Sequence, residues 1–217
     1  MIIAILLKKE DMKRNRLLIN LIKCLPNKSI FCNKLLGRQF QKQLNYLLTN
    51  SMETFNYPGF KLALYLGADP NIDAQIKVGY HLVTRSARSG EELFLDTLLT
   101  FGGNVHANLS KGGYFPIHMA ATKGMETTIE ILIKHGADIN AVYQLDGYEK
   151  DSVYPCGWTP LICACIHNKT MAGKKLLDLG ANPFDINENG ITAVDICLKN
   201  KNKDLADYIL EKQKSYQ

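Results

Sequence analysis

The stretch Gly112 to Ala141, GGYFPIHMAATKGMETTIEILIKHGADINA, predicts two short antiparallel helices joined by a tight turn. Pro116 suits the first turn of the first helix, where its missing N–H does not remove a helical hydrogen bond. Gly124 and Gly136 are predicted to end the two helices, because glycine readily adopts positive φ at a helix C-terminus. A unit of this size buries little apolar surface alone, so it predicts neighbours like itself.

Copies of this unit occur on both sides of it. Pro160 and Gly180 repeat the 20-residue spacing of Pro116 and Gly136, and Ala193 begins a last copy 33 positions after Pro160. Upstream, an earlier copy begins near Leu82, and the first copy is the most divergent. We expect the turn between the two helices of that first copy at Tyr57, Pro58 and Gly59. The predicted copies cover residues 44–77, 78–110, 111–155, 156–188 and 189–217.

Two copies carry recognisable motif residues. One contains Thr159, Pro160 and Leu161, and the other contains Pro116 to Ala121 followed by Gly136 to Ala141. This pattern resembles the ankyrin repeat, whose unit of about 33 residues carries T-P-L-H early and G-A-D late. The resemblance implies an all-α solenoid of about five stacked helix-turn-helix units over residues 44–217, with a helical N-terminal cap at 1–43. It also implies that His118 hydrogen-bonds to backbone in a neighbouring turn.

Charge is concentrated in the N-terminal segment. Residues 1–43 hold ten Lys or Arg against Glu10 and Asp11, whereas the whole chain carries a net charge of +5. The remaining residues are therefore net acidic. Apolar residues at helical spacing predict two helices in this segment, which favours a cap over the exposed end of the repeats. The alternative is a basic amphipathic surface that contacts anionic lipid, through residues 1–25, or nucleic acid.

Neither the cysteines nor the histidines predict a catalytic or metal site. Cys163, Cys165 and Cys197 fall at small, buried motif positions, where a free thiol behaves as a small apolar side chain. The six cysteines lack the paired spacing of a zinc site, and no histidine has a nucleophile placed beside it by the repeat. We therefore expect no catalytic residue, no metal ligand, no cofactor and no small-molecule substrate.

One loop is longer than the repeat requires. From Gly136 to Pro160 the chain spans 24 positions, against 13 from Gly180 to Ala193. Insertions in solenoids collect in the loops of one face, often the binding face. Tyrosine and tryptophan are frequent hot-spot residues of protein interfaces, because they combine a large rigid surface with a polar tip. This finger, residues 142–155, and its flank therefore provide the predicted partner-binding residues: Tyr143, Tyr148, Glu149, Tyr154 and Trp158.

The sequence thus favours a monomeric, non-enzymatic module that binds a protein partner through its concave face and the finger. The runner-up is a membrane- or nucleic-acid-associated protein in which the basic N-terminal helices bind and the repeats act as a scaffold. The composition, rich in Lys, Asn and Ile, also resembles that of effectors secreted by intracellular bacteria. That resemblance implies a host protein as partner and the host cytosol as location; otherwise the expected location is the cytoplasm.

Overall fold

The computed structural model describes residues 28–72, 81–107, 115–142, 157–186 and 190–216, with side chains from residue 41 onward. The chain divides into two compact units, Met1–Asp69 and Pro70–Gln217. Within the described ranges the secondary structure is helical, apart from single bridge residues, of which Ile186 and Thr192 pair in an isolated antiparallel bridge. The helices come in consecutive pairs, as the sequence predicts.

The first unit contains helices α1 (Lys28–Glu53) and α2 (Tyr57–Tyr65), which pack against each other. Their interface buries Leu44, Leu48, Met52 and Phe60, with none of these side chains more than 1% exposed. α1 runs through the predicted boundary between residues 43 and 44. The sequence explains this continuity, because no proline interrupts the chain between Pro26 and Pro58.

The turn between α1 and α2 lies earlier than we expected. Tyr57, Pro58 and Gly59 form the first turn of α2, and the reversal itself occurs at Phe55, whose φ is +52°. The Asn56 side chain caps α2 by accepting a hydrogen bond from the Gly59 N–H at 3.1 Å. Pro58 therefore has the usual role of a proline in the first helical turn, and the prediction of a turn at these residues was wrong.

The second unit contains four helix pairs among its described residues. The first helices of the pairs are α3 (Leu82–Ser89), α5 (Pro116–Lys123), α7 (Pro160–Ile166) and α9 (Ala193–Lys199). The second helices are α4 (Glu92–Thr100), α6 (Glu126–Lys134), α8 (Thr170–Asp178) and α10 (Lys203–Lys214). First helices pack on first helices in chain order, and second helices pack on second helices. Within the second unit, the result is a stack in which neighbouring pairs contact each other.

Every inter-helix turn uses the same backbone geometry, whatever its side chain. The reversing residues have positive φ, and they are Phe55, Gly90, Gly124, Asn168 and Lys201. In each turn the next N–H bonds to a carbonyl five residues back, as in Met125 N–H to Ala120 O at 2.9 Å and Asn202 N–H to Cys197 O at 2.8 Å. This is the longer hydrogen bond of a Schellman helix ending. The conformation is therefore fixed by the repeat even where the residue is not glycine.

Ion pairs join the second helices across neighbouring pairs. Lys134 Nζ lies 3.5 Å from Asp96 Oδ1, Lys174 Nζ lies 2.8 Å from Asp204 Oδ1, and Lys175 pairs with Glu130. The contacts are partly exposed, so each adds little to stability. They place side chains of opposite charge opposite each other on adjacent second helices.

Loop residues also join neighbouring pairs through asparagine side chains. The Asn71 Oδ1 accepts a hydrogen bond from the Asn104 N–H at 2.7 Å, and the Asn140 Oδ1 accepts one from the Asn182 N–H at 2.9 Å. Asn104, Asp138 and Asn182 each bond to the backbone N–H two residues later, which shapes the loop locally. The Asn and Asp residues at the end of each repeat thus shape the loops and join them to one another by the same kind of hydrogen bond.

Exchanging residues at positive-φ positions should change stability in opposite directions. Lys201→Gly should raise the free energy of unfolding by about 0.5–1 kcal/mol, since it removes the strain of a left-handed lysine at φ +59°. Gly136→Ala should lower it by about 1 kcal/mol, because φ is +87° although no atom lies within 4 Å of an added Cβ. Urea denaturation of both variants measures the changes. Lys199→Gly, in the last turn of α9, is the control and should destabilise.

Candidate interaction surface

The predicted finger is anchored at both ends by the described structure. Tyr143, Tyr148, Glu149 and Tyr154 lie outside the described residues, so their assignment as partner-binding residues stays a prediction. Val142 at one end of the finger is 46% exposed. The residues just outside the finger, Ala141 and Trp158, are both buried.

Trp158 is buried, with 5% of its surface exposed, which does not fit its assignment as a partner-contacting side chain. It stands immediately before Thr159, the residue that caps α7 by accepting a hydrogen bond from the Ile162 N–H. An apolar residue at that place often packs back onto the first turns of the helix, in the arrangement called a hydrophobic staple. Its position directly before Thr159 and Pro160 was the sequence signal that could have indicated a buried Trp158 rather than an exposed contact residue.

His118 joins the two ends of the finger. Its Nε2 lies 2.9 Å from the carbonyl oxygen of Ala141 and 2.9 Å from that of Trp158, so one N–H is shared by both carbonyls. The prediction that His118 bonds to backbone in a neighbouring turn is confirmed. The base of the finger is therefore closed by a buried side chain, whatever the conformation of its tip.

The environment of His118 keeps the ring neutral. The side chain is fully buried, and this burial lowers the pKa of His118 to about 4 despite its two carbonyl partners and the charge of Asp138. A neutral imidazole can donate from only one nitrogen, which matches the shared N–H. Protonation would place a charge in the core, so we expect acid to destabilise the folded state through this residue.

Other repeats also hold their loops by side-chain hydrogen bonds, but with different residues. In the preceding pair Thr84 stands in the place of His118, and its hydroxyl donates to the Ala107 carbonyl at 3.1 Å. In the following pair the place is taken by Ile162, and Thr159 instead donates to Asp185 Oδ2 at 2.6 Å. Burial raises the pKa of Asp185, whereas its hydrogen bonds from Thr159 and Asn182 lower it. The loops are thus held by different hydrogen bonds within one geometry.

Basic side chains line the inter-helix turns. His167 lies near Lys123 and Lys169, and its pKa is lowered by burial first and then by those two charges. The Lys169 side chain crosses Gly124 so closely that a Cβ there would lie 3.0 Å from its Cδ. Acidic residues on these turns include Glu91 and Glu92 beside α3. We call the following set the basic turn edge: Arg88, Lys123, His167, Lys169, Lys199 and Lys201.

The cysteines of the first helices belong to the core. Cys163, Cys165 and Cys197 are free thiols without exposed surface, and burial raises the pKa of Cys163 to about 12. Such a thiol is a poor nucleophile because little thiolate forms. Within the described ranges no three His, Cys, Asp or Glu side chains are grouped so that they could hold a metal ion. No helix in those ranges is long and apolar enough to span a membrane.

Stacked helix pairs with capped loops define the second unit as a helical-repeat protein. The family description "Ankyrin repeat" matches residues 112–143, and "Ankyrin repeats (3 copies)" matches residues 141–217. The chain is an ankyrin-repeat protein, and the prediction of an all-α ankyrin solenoid is confirmed. The family is generally non-catalytic, and its repeats indicate an interaction with protein partners.

Relatives with known names support the same family. The chain is 28% identical to ankyrin repeat protein nuc-2 of Neurospora crassa over 110 residues, half of this chain and 9% of the relative. It is 34% identical to ankyrin repeat and SAM domain-containing protein 6 of Rattus norvegicus over 94 residues, 43% of this chain and 10% of the relative. It is 31% identical to protein phosphatase 1 regulatory subunit 12A of Mus musculus over 105 residues, 48% of this chain and 9% of the relative. The chain thus matches about a tenth of the length of each relative.

Acid should destabilise the fold through the buried ring of His118. Because its pKa is about 4 in the folded protein and about 6.5 when unfolded, the unfolded state binds more protons between these values. Stability is therefore complete above pH 6.5 and falls as the pH drops towards 4. The difference in unfolding free energy between wild type and His118→Gln should shift by about 3 kcal/mol in favour of the variant from pH 7 to pH 4. Urea denaturation at each pH measures it, and a constant difference would contradict this role.

Proposed function

We propose that this protein is a non-catalytic interaction module that binds an acidic segment of a partner protein along the basic turn edge and the finger. The observation that carries the proposal is the row of basic side chains on successive inter-helix turns, in which Lys123 and Lys169 carry the positive charge. Lys123, His167 and Lys169 come from adjacent helix pairs and lie close enough to influence one another. Complementary charge contributes to the rate and specificity of protein association.

The rigidity of this surface supports binding rather than simple solvation. Each turn has a fixed backbone conformation, and Lys169 is packed across Gly124. A preorganised surface loses less conformational entropy when a partner binds. The finger contributes aromatic residues between Ala141 and Trp158, whose backbone carbonyls are held together by His118.

The names of the relatives are consistent with this proposal. One is a regulatory subunit of a protein phosphatase, and another combines ankyrin repeats with a SAM domain. In both relatives the matched repeats belong to a larger protein. We therefore propose a regulatory or scaffolding role, in which the repeats of this chain recognise a partner and other groups perform the chemistry.

Two further hypotheses rest on the sequence alone. The host-directed effector role, with a host protein as partner and the host cytosol as location, follows from composition. Membrane or nucleic-acid binding follows from the ten cations of residues 1–43. A pull-down from eukaryotic cytosol tests the first hypothesis, and binding to anionic liposomes or to nucleic acid tests the second.

Charge reversal on the turn edge should remove partner binding without unfolding the protein. Lys123→Glu combined with Lys169→Glu should weaken binding by at least about tenfold, because two cations facing an acidic segment become repulsive. Baits for a pull-down from eukaryotic cytosol are the intact protein, this double variant and a variant with residues 143–154 replaced by a short Gly-containing turn. Lys214→Glu is the control, because it makes the same kind of charge change on α10.

The outcomes separate the two parts of the surface. Partners captured by the intact protein and the control but lost from the double variant would support the basic turn edge. Partners lost only from the finger variant would place recognition in the finger. Identical partner lists for every bait would contradict the proposed surface. If no bait captures a partner, binding of the intact protein to anionic liposomes is measured next.

A further inference from the structure

Two cysteines meet where the first helices of the last two helix pairs pack on each other. Cys165 lies in α7 and Cys197 lies in α9, and these two helices are in contact. The thiol of Cys165 lies within hydrogen-bonding reach of the Cys197 sulfur, close enough to lower the pKa of Cys197. Both side chains are 0% exposed. The two sulfur atoms are therefore neighbours inside the contact between the helices.

A separate set of hydrogen bonds holds the same two helix ends together. The side chain of Asn200, which caps the C-terminus of α9, donates from Nδ2 to the carbonyl oxygens of Cys165 at 3.0 Å and Ile166 at 3.1 Å. Cys197 precedes Asn200 by three residues, so both lie on one side of the end of α9. That side of α9 is therefore held against the C-terminal turn of α7.

The other contacts between first helices have alanine at both of these places. Cys165 lies three residues before the positive-φ residue of its turn, and Cys197 lies four residues before that of the next turn. The equivalent residues are fully buried: Ala87 and Ala120 between α3 and α5, and Ala121 and Ala164 between α5 and α7. Among the three contacts between described first helices, the contact between α7 and α9 has a thiol on each side.

The spacing of packed helices suits a disulfide bond at this contact. Axes of packed helices lie about 8–10 Å apart, and each Cα lies about 2.3 Å from its axis. Facing Cα atoms are then roughly 5 Å apart at the upper end of that range, whereas a disulfide requires about 4.4–6.8 Å. The two cysteines can therefore be joined while their helices keep their packing.

The third cysteine of these helices faces the opposite way. The sulfur of Cys163 lies beside the hydroxyl of Thr122 on α5, which belongs to the preceding helix pair. Cys165, two residues later, meets Cys197 of the following pair. Cys163 is therefore a matched control, since it is equally buried but has no cysteine on the helix that it faces.

We propose that Cys165 and Cys197 form a modification site, at which a small-molecule disulfide such as that of glutathione oxidises the two thiols to a disulfide bond between α7 and α9. The thiolate of one cysteine attacks the small disulfide, which forms a mixed disulfide and releases one small thiol. The other cysteine attacks the protein sulfur of the mixed disulfide and releases the second small thiol. The two protein thiols are thus oxidised, and their protons leave with the two small thiols.

The reaction requires the last helix pair to open, because neither sulfur has exposed surface. Among the described helices α9 and α10 have one packed neighbour pair, so their separate opening breaks fewer contacts than opening of an inner pair. Separation of α9 from α7 exposes both thiols, and closure brings Cys165 back onto Cys197. Once the bond has formed, α9 no longer separates from α7. Oxidation therefore stabilises the last pair specifically.

Oxidation of the full chain under native conditions tests this proposal. The protein is incubated with oxidised glutathione, as wild type and as a variant with Cys24→Ser, Cys32→Ser and Cys156→Ser, and is then digested for mass spectrometry. We expect a peptide link between Cys165 and Cys197, with the loss of two hydrogen atoms. Amides of α9 and α10 should exchange at least about tenfold more slowly in the oxidised protein. Dithiothreitol should restore the original exchange rates.

Variants of the three buried cysteines separate the site from general thiol oxidation. Cys163→Ala should leave both the link and the slower exchange unchanged. Cys165→Ala with Cys197→Ala should abolish both effects. This double variant should still fold, because alanine occupies the equivalent buried positions in the contact between α5 and α7.

Four results would overturn the proposal. The first is the absence of a link between Cys165 and Cys197 in both oxidised proteins. The second is a link that contains Cys163 as often as Cys165, and the third is a link that forms only in urea, since both would assign the reaction to global unfolding. The fourth is unchanged exchange of α9 and α10 after the link has formed.

Discussion

Burial of each helix pair against its neighbours is the constraint on which the second unit depends. The first helices meet through small side chains such as Ala87, Ala121 and Cys165, which lose all exposed surface in the stack. Small residues at these places let the helices approach closely, and the Schellman-type turn then sets the position of the second helix. In such a repeat protein, stability is the sum of local folding and contacts between adjacent repeats.

One of the loops is joined to this packing at its base through His118. His118 reaches across from α5 to hold the carbonyls of Ala141 and Trp158, so an insertion between those residues leaves the stack intact. Because the ring is buried and neutral, it can satisfy both carbonyls without introducing a charge into the core. A loop that is fixed at its base can change in length and sequence at low energetic cost. This arrangement explains how a regular fold accommodates a longer loop between two of its repeats.

Much of the fold could be predicted from the sequence because the repeat is local. Gly124 and Gly136, the prolines of the first turns and the apolar spacing identify the helix pairs directly. The turns at Phe55, Asn168 and Lys201 were harder to recognise, because positive φ occurs there without the glycine that marks it elsewhere. Trp158 is buried, which its aromatic character alone could not indicate. The alignment of Lys123, His167 and Lys169 depends on how successive pairs stack, which a linear pattern does not contain.

The most direct test of nearest-neighbour stabilisation is native-state hydrogen exchange, resolved helix by helix in the second unit. Amides of α5 to α8, which have packed pairs on both sides, should require the largest opening free energy. Those of α9 and α10 have one packed neighbour pair among the described helices, and they should exchange first. Equal protection from α5 to α10 would show that the unit opens only as a whole, and it would contradict stabilisation by nearest neighbours.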